Sequence, residues 1–161
     1  MIHPWRRLRA LSGWELRWHH PDDNPDPGFT LFDDKVISLR SNLTWEERRC
    51  TVLHECLHAE WGPTLVGVLA ERQELRVRRE TARLLLPSIR EVGEALAWAH
   101  SLGEAAVELS VDVDVLRDRL TWLDPAERDY LNLRAAQAPL DSSVGDLVPE
   151  EGCRSGRSEP P

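Results

Sequence analysis

The chain lacks any run of about eighteen consecutive apolar residues, the length a membrane-spanning helix needs, so no segment is expected to cross a bilayer. Its start, Met1 to Arg7, carries no apolar stretch of the kind found in a secretory signal, so none is expected. Cysteines are scarce: Cys50, Cys56 and Cys153 are the only three. They are too few and too scattered for a disulfide framework. Cys50 and Cys56 fall on different faces of one predicted helix, beyond bridging reach. A cytoplasmic setting is therefore expected. Positive charge is short as well, since 20 Lys plus Arg against 28 Asp plus Glu leave a formal charge of −8. Such a surface repels phosphate, which argues against a dedicated nucleic-acid binder or a membrane-surface protein. No internal repeat is present.

What remains is a 161-residue chain, 41% apolar and 30% charged, with room for one globular domain and a real core. Its first 43 residues read as strand and loop. Trp14 to Trp18 alternates apolar and polar residues as a half-buried strand does. His19 to Gly28 is a loop rich in Pro and Asp, and Phe29–Phe32 with Lys35–Leu39 reads as a hairpin about Asp33-Asp34. Thr44 and Glu47 form a capping box that starts a helix at Trp45, and Gly62-Pro63 ends it. Further helices are expected over 66–86, 89–101, 103–109, 113–123 and 125–136, the last with Asp124 as cap and Pro125 at its first position. The expected fold is α+β. A small antiparallel sheet (1–43) packs on the helix from Trp45, active-site and ligand helices fill 44–101, and a helical part spans 102–136. Residues 137–161, rich in Ser, Gly, Pro and Glu, read as a disordered tail.

The helix from Trp45 contains His54-Glu55-Cys56-Leu57-His58, an HExxH motif. Side chains four apart share a helix face, so two imidazoles can converge on one ion at bonds of about 2.0–2.1 Å, the zinc range. Glu55 projects beside them, offset round the helix, where it can take a proton from a water whose pKa zinc lowers toward about 7. Val52-Leu53 and Cys56-Leu57 interleave with the histidines, which argues for a half-buried helix over a solvated one. A catalytic zinc wants a third protein ligand. Glu71, Glu74 and Glu80 on the next helix are the candidates. Glu74 shares a face with Val77, Thr81 and Leu85, Glu71 lies one turn earlier on that stripe, and Glu80 sits off it among arginines.

The run from Thr44 to Pro87 resembles the ImmA/IrrE family of metallopeptidases, in the short form found in actinobacteria and their phages. The likeness rests on the preceding hairpin, on Leu53 to Ala59, and on Arg72-Gln73-Glu74 leading to Ala82-Arg83-Leu84-Leu85-Leu86-Pro87. The family places an acidic ligand about thirteen residues before the proline of an LLMP-like sequence, and the resemblance thereby selects Glu74. Glu80-Thr81 and Leu86 depart from the family pattern at packing positions. The resemblance implies a gluzincin-type zinc peptidase with ligands His54, His58 and Glu74 and base Glu55. Its implied partner is a helix-turn-helix repressor, cleaved or otherwise inactivated, in a phage or mobile-element setting. The alternatives are a non-catalytic metal-containing anti-repressor and a DNA-binding regulator.

The DNA-binding alternative draws on residues 103–120, where Ala106, Val111 and Leu116 have helix-turn-helix spacing. The second helix, however, sets Asp112, Asp114 and Asp118 against Arg117 and Arg119, with no positive excess, so DNA binding is not expected. His3, His19 and His20 read as solvated loop residues. His100 and Tyr130 are candidate donors to an oxyanion. Cys56 reads as a small buried hydrophobe. Trp61, just past His58, is a candidate wall of a substrate cleft.

Overall fold

The computed structural model describes residues 3–63 and 66–137. The fold is α+β, with ten elements among the described residues, in order: α1 (Pro4–Ala10), β1 (Glu15–His19), β2 (Gly28–Leu31), β3 (Val36–Arg40), α2 (Trp45–Trp61), α3 (Val68–Leu85), α4 (Ile89–Trp98), α5 (Leu102–Glu108), α6 (Val113–Thr121) and α7 (Pro125–Ala136). Among the described residues no helix is long and apolar enough to cross a membrane. The expected tail lies outside the described residues, apart from Gln137.

The sheet is mixed, which corrects the antiparallel expectation. Its order is β1-β3-β2. β2 and β3 form the expected antiparallel hairpin, but β1 runs parallel to β3, with Glu15 opposite Val36. The cause lies in residues 20–27. Pro21, Pro25 and Pro27 bar a tight turn that would set β2 beside β1. The chain instead crosses the end of β3, held where the Arg40 amide donates to Pro27 O and the Ser41 amide to His19 O. β3 is thus central, and Val36, Ile37, Ser38 and Leu39 are all buried.

A second correction is α1, where strand and loop were expected. Pro4 stands in its first turn, and Trp5, Leu8 and Leu11 pack toward the sheet-side core. Arg7 pairs with Glu60 and ties α1 to the end of α2.

α2 begins as read, with both halves of the Thr44–Glu47 capping box made, at 2.7 and 3.2 Å. It ends at Gly62, whose φ of 92° few other residues tolerate. This helix is buried on two sides. Cys50 and Leu53 belong to the helical core with Leu85, Val92 and Leu116, while Val52 and Cys56 belong to the sheet-side core with Ile37 and Leu39. A helix apolar on more than one face is one enclosed by its neighbours, and the HExxH segment inherits that rigidity. α4 stops at Trp98 instead of Ser101, because the Ser101 hydroxyl caps α5, accepting from the Glu104 amide.

The helix-turn-helix-like segment is α5 and α6, joined through Ser110 at φ 55°. Ala106, Val111 and Leu116 are buried in the helical core. Asp118 receives two hydrogen bonds from Arg78 of α3, at 2.8 and 2.6 Å. Arg119 donates to Leu86 O and pairs with Glu127. The inward side of α6 is thereby committed to the fold.

Candidate metal centre

The centre is built from two helices. Four residues of α2 carry His54 and His58 to one face, where their Nε2 atoms lie 3.1 Å apart. α3 packs against α2 and brings Glu74 to the same point. Its Oε2 is 3.1 Å from His58 Nε2, and its Oε1 is 3.4 Å from His54 Nε2. One ligand atom from each residue lies within 4.8 Å of the others, so the group could hold a metal ion. His58 is buried, whereas the Glu74 side chain is 46% exposed, which leaves the group open on one side.

The neighbouring charges reinforce one another. Hydrogen bonds from the His54 and His58 rings hold the Glu74 carboxyl far below the usual carboxylate range. Burial disfavours a charged His54, but the Glu74 hydrogen bond and the charges of Glu55 and Glu74 outweigh it and raise its pKa. Among the described residues His58 Nδ1 is buried without a hydrogen-bond partner, so no acceptor among them orients that ring.

Glu55 stands beside this group and outside it. It is buried, at 6% exposure, and burial pushes its carboxyl above the usual range against the pull of His54, Thr30 and His58. The Thr30 hydroxyl on β2 donates to Glu55 Oε2 at 2.8 Å. Two residues earlier, Gly28 lets the strand lie against α2. A Cβ there would fall 2.5 Å from Thr51 Cγ2 and 3.1 Å from Glu55 Cγ.

A cleft of about 740 Å³ opens over the group. Residues Gly28 to Thr30 form one wall, the start of α6 with Asp112 and Val115 forms the other, and the His54, Glu55, His58 and Glu74 side chains lie in its floor. Arg78, one turn beyond Glu74, is the one guanidinium among its described lining residues, and both oxygens of Asp118 accept from one edge of it.

The structure brings His54, Glu55, His58 and Glu74 together. Glu71 is exposed and Glu80 half-buried, and neither joins the ligand group. His100 is exposed and Tyr130 lies at a different cavity, so neither reaches this cleft. Trp61 does not line it either; the Arg76 guanidinium covers its ring at 4.5 Å. Cys56 is fully buried, and burial pushes its thiol up to about 12. His3 is exposed and His20 pairs with Asp22, as solvated residues do. His19 departs from that reading: it ends β1, with its ring bound to Ser38 Oγ at 2.8 Å and Asp26 O at 3.0 Å. Thr30, Gly28 and Arg78 were not singled out from the sequence. The one available signal was the polar Thr30 within an apolar strand.

No protein-family model, curated protein or solved structure matches the chain, and its own residues therefore carry the functional argument.

Proposed function

We propose that the chain is a zinc-dependent metallo-endopeptidase of the gluzincin type, with His54, His58 and Glu74 as ligands and Glu55 as general base. One observation carries the reading: His54 Nε2 and His58 Nε2 lie 3.1 Å apart, and the Glu74 carboxylate faces both, with Oε2 3.1 Å from His58 Nε2 and Oε1 3.4 Å from His54 Nε2. A tetrahedral zinc with bonds of about 2.0–2.1 Å has edges of about 3.3–3.4 Å between its ligands, and donor separations of 3.1 to 3.4 Å between these three residues support that arrangement. Two neutral nitrogens and one carboxylate are also a donor set that zinc accepts in hydrolytic centres. With no cation present, two imidazole nitrogens would meet at 3.1 Å beside a carboxylate, and at least one ring would have to carry a proton between them.

Held by His54, His58 and Glu74, zinc would polarise a carbonyl as a Lewis acid and lower the pKa of water toward about 7. Glu55 takes the proton of the attacking water and delivers it to the leaving amine. Thr30 fixes that carboxylate by one oxygen and leaves the other for proton transfer. The outer edge of β2 has no strand partner among the described residues, and an extended peptide adding to it passes over the cleft floor. Arg78, paired with Asp118 in the lining of the cleft, would be the donor to the oxyanion that forms from the scissile carbonyl.

The substrate class follows from the resemblance to ImmA/IrrE peptidases: a helix-turn-helix repressor of a phage or mobile element, met in the cytoplasm. The test is co-expression of the chain with such a repressor from the same genetic element. Repressor fragments are expected with the wild type and not with Glu55→Gln. Relief of repression by both proteins without fragments would reassign the chain to a non-catalytic anti-repressor.

A further inference from the structure

A second cavity lies apart from the metal cleft. It has a volume of about 1180 Å³, is framed by the starts of α1 and α2 and by α4, α5 and Tyr130 of α7, and shares no described lining residue with the cleft. Its aromatic walls are unusually wet: Trp98 is 79% exposed and Trp45 is 58% exposed. Large apolar side chains left bare around a concavity mark a binding surface. Its size is at or above the upper end of small-molecule pockets, about 300–1,000 Å³, and points to a segment of polypeptide.

The rim specifies the charge of the occupant. Among the described lining residues, Glu91, Glu94, Glu104 and Glu108 border the groove against Arg49 and Arg90. Arg49 is turned inward, donating to the carbonyls of Leu109 and Ser110. Glu94 is tied to Arg134, whereas Glu91 and Glu108 carry no ion pair among the described residues. Exposed indole faces beside uncompensated carboxylates attract guanidinium and ammonium groups, through ring quadrupole and Coulomb energy together. The net charge of −8 draws a basic partner from a distance and repels nucleic acid.

We propose that this groove is a docking site for an arginine- or lysine-rich segment of a protein partner, separate from the metal centre. Trp98 and Trp45 stack on the basic side chains, and Glu91 and Glu108 pair with them.

The test uses the full chain and a fluorescein-labelled, amidated oligo-arginine peptide, followed by fluorescence anisotropy. An oligo-citrulline peptide serves as its uncharged isostere. Binding is expected for the arginine peptide only, weakening with salt. Trp98→Ala, at an exposed position that the fold does not need, is expected to weaken it about threefold to tenfold. Glu91→Gln with Glu108→Gln is expected to do the same, while His54→Ala leaves it unchanged. Absence of binding, equal binding of the citrulline peptide, or an unchanged affinity in Trp98→Ala would each overturn the proposal. Binding that emerges only when residues 138–161 are deleted would also overturn it, because the groove would then belong to the chain's own segment.

Discussion

The Thr30 hydroxyl donates to Glu55 Oε2 across 2.8 Å, joining an edge strand to the acid of the HExxH motif. Glu55 is almost fully buried, so its carboxylate has few other donors to orient it. Hydrogen bonds to charged groups contribute about 1.5–3 kcal/mol. Thr30→Val keeps the shape and removes the donor. It should lower peptide hydrolysis by roughly tenfold to a hundredfold with zinc content unchanged. Thr30→Ser should restore most of the rate. Full activity in Thr30→Val would show that the hydroxyl positions nothing.

Gly28 sets how closely β2 approaches α2. A methyl group there meets Thr51 Cγ2 at 2.5 Å, closer than nonbonded carbons approach. Gly28→Ala should destabilise the fold by about 1–3 kcal/mol, the usual cost of overpacking, read from the urea midpoint. The clash is with one methyl group, so Thr51→Ser removes its main partner. In the double variant much of the lost stability should return, and strictly additive losses would place the cause elsewhere.

These two contacts mark the boundary of what the sequence disclosed. The HExxH helix was legible because its signals are local: a capping box at Thr44–Glu47, a glycine exit at Gly62 and the four-residue spacing of His54 and His58. Glu74 was narrower, one of three acids on one helix, selected by its spacing to Pro87 in a resembling family and by a stripe with Val77, Thr81 and Leu85 that is indeed buried. Strand order was not legible, because pairing β1 with β3 depends on how residues 20–27 cross the sheet end, and no local pattern encodes that route. Thr30, Gly28 and the Arg78–Asp118 pair become visible only once distant elements meet. α1 was missed because His3 supplies no side-chain cap, which left Pro4 as a lone start signal.

Acid should weaken the packing of α7 through Glu127. Arg119 is 2% exposed and pairs with Glu127, and that partnership holds the Glu127 carboxyl below its ordinary value of 4.5. A depressed folded-state pKa means that the charged form stabilises the fold. The contribution is complete above the unfolded value near 4.5 and is lost as pH falls through the folded value below it. Protonation also removes the negative charge that faces the buried Arg119, whose other acceptor, Leu86 O, is neutral. Melting temperature should therefore fall more steeply below the 4.5 reference in wild type than in Glu127→Gln, which has no charge there to lose. Parallel curves for the two proteins would remove Glu127 from the account. Glu94, lowered by Arg134, titrates in both proteins and cancels in the comparison.

Metal binding can separate the three acids of α3 without any substrate. A ligand that binds only the folded chain stabilises it by about 2.7 kcal/mol at a hundred times its dissociation constant. Zinc at that excess should raise the melting temperature of wild type, Glu71→Ala and Glu80→Ala alike, because neither Glu71 nor Glu80 belongs to the donor group. Glu74→Ala should lose the rise, as should His54→Ala. The Glu74 variant should also titrate differently without metal, since the Glu74 carboxylate, together with Glu55, raises the His54 pKa against burial. A zinc-dependent rise that survives in Glu74→Ala and disappears in Glu80→Ala would move the third ligand about a third of the way round α3 and about 9 Å along it. It would also require α3 to rotate from the packing that buries Val77, Thr81 and Leu85. Such a rotation would open the helical core, so amide hydrogen exchange at Val77 and Leu85 gives a second reading of the same outcome. Slow exchange there with zinc bound leaves Glu74 as the acid that faces the histidines.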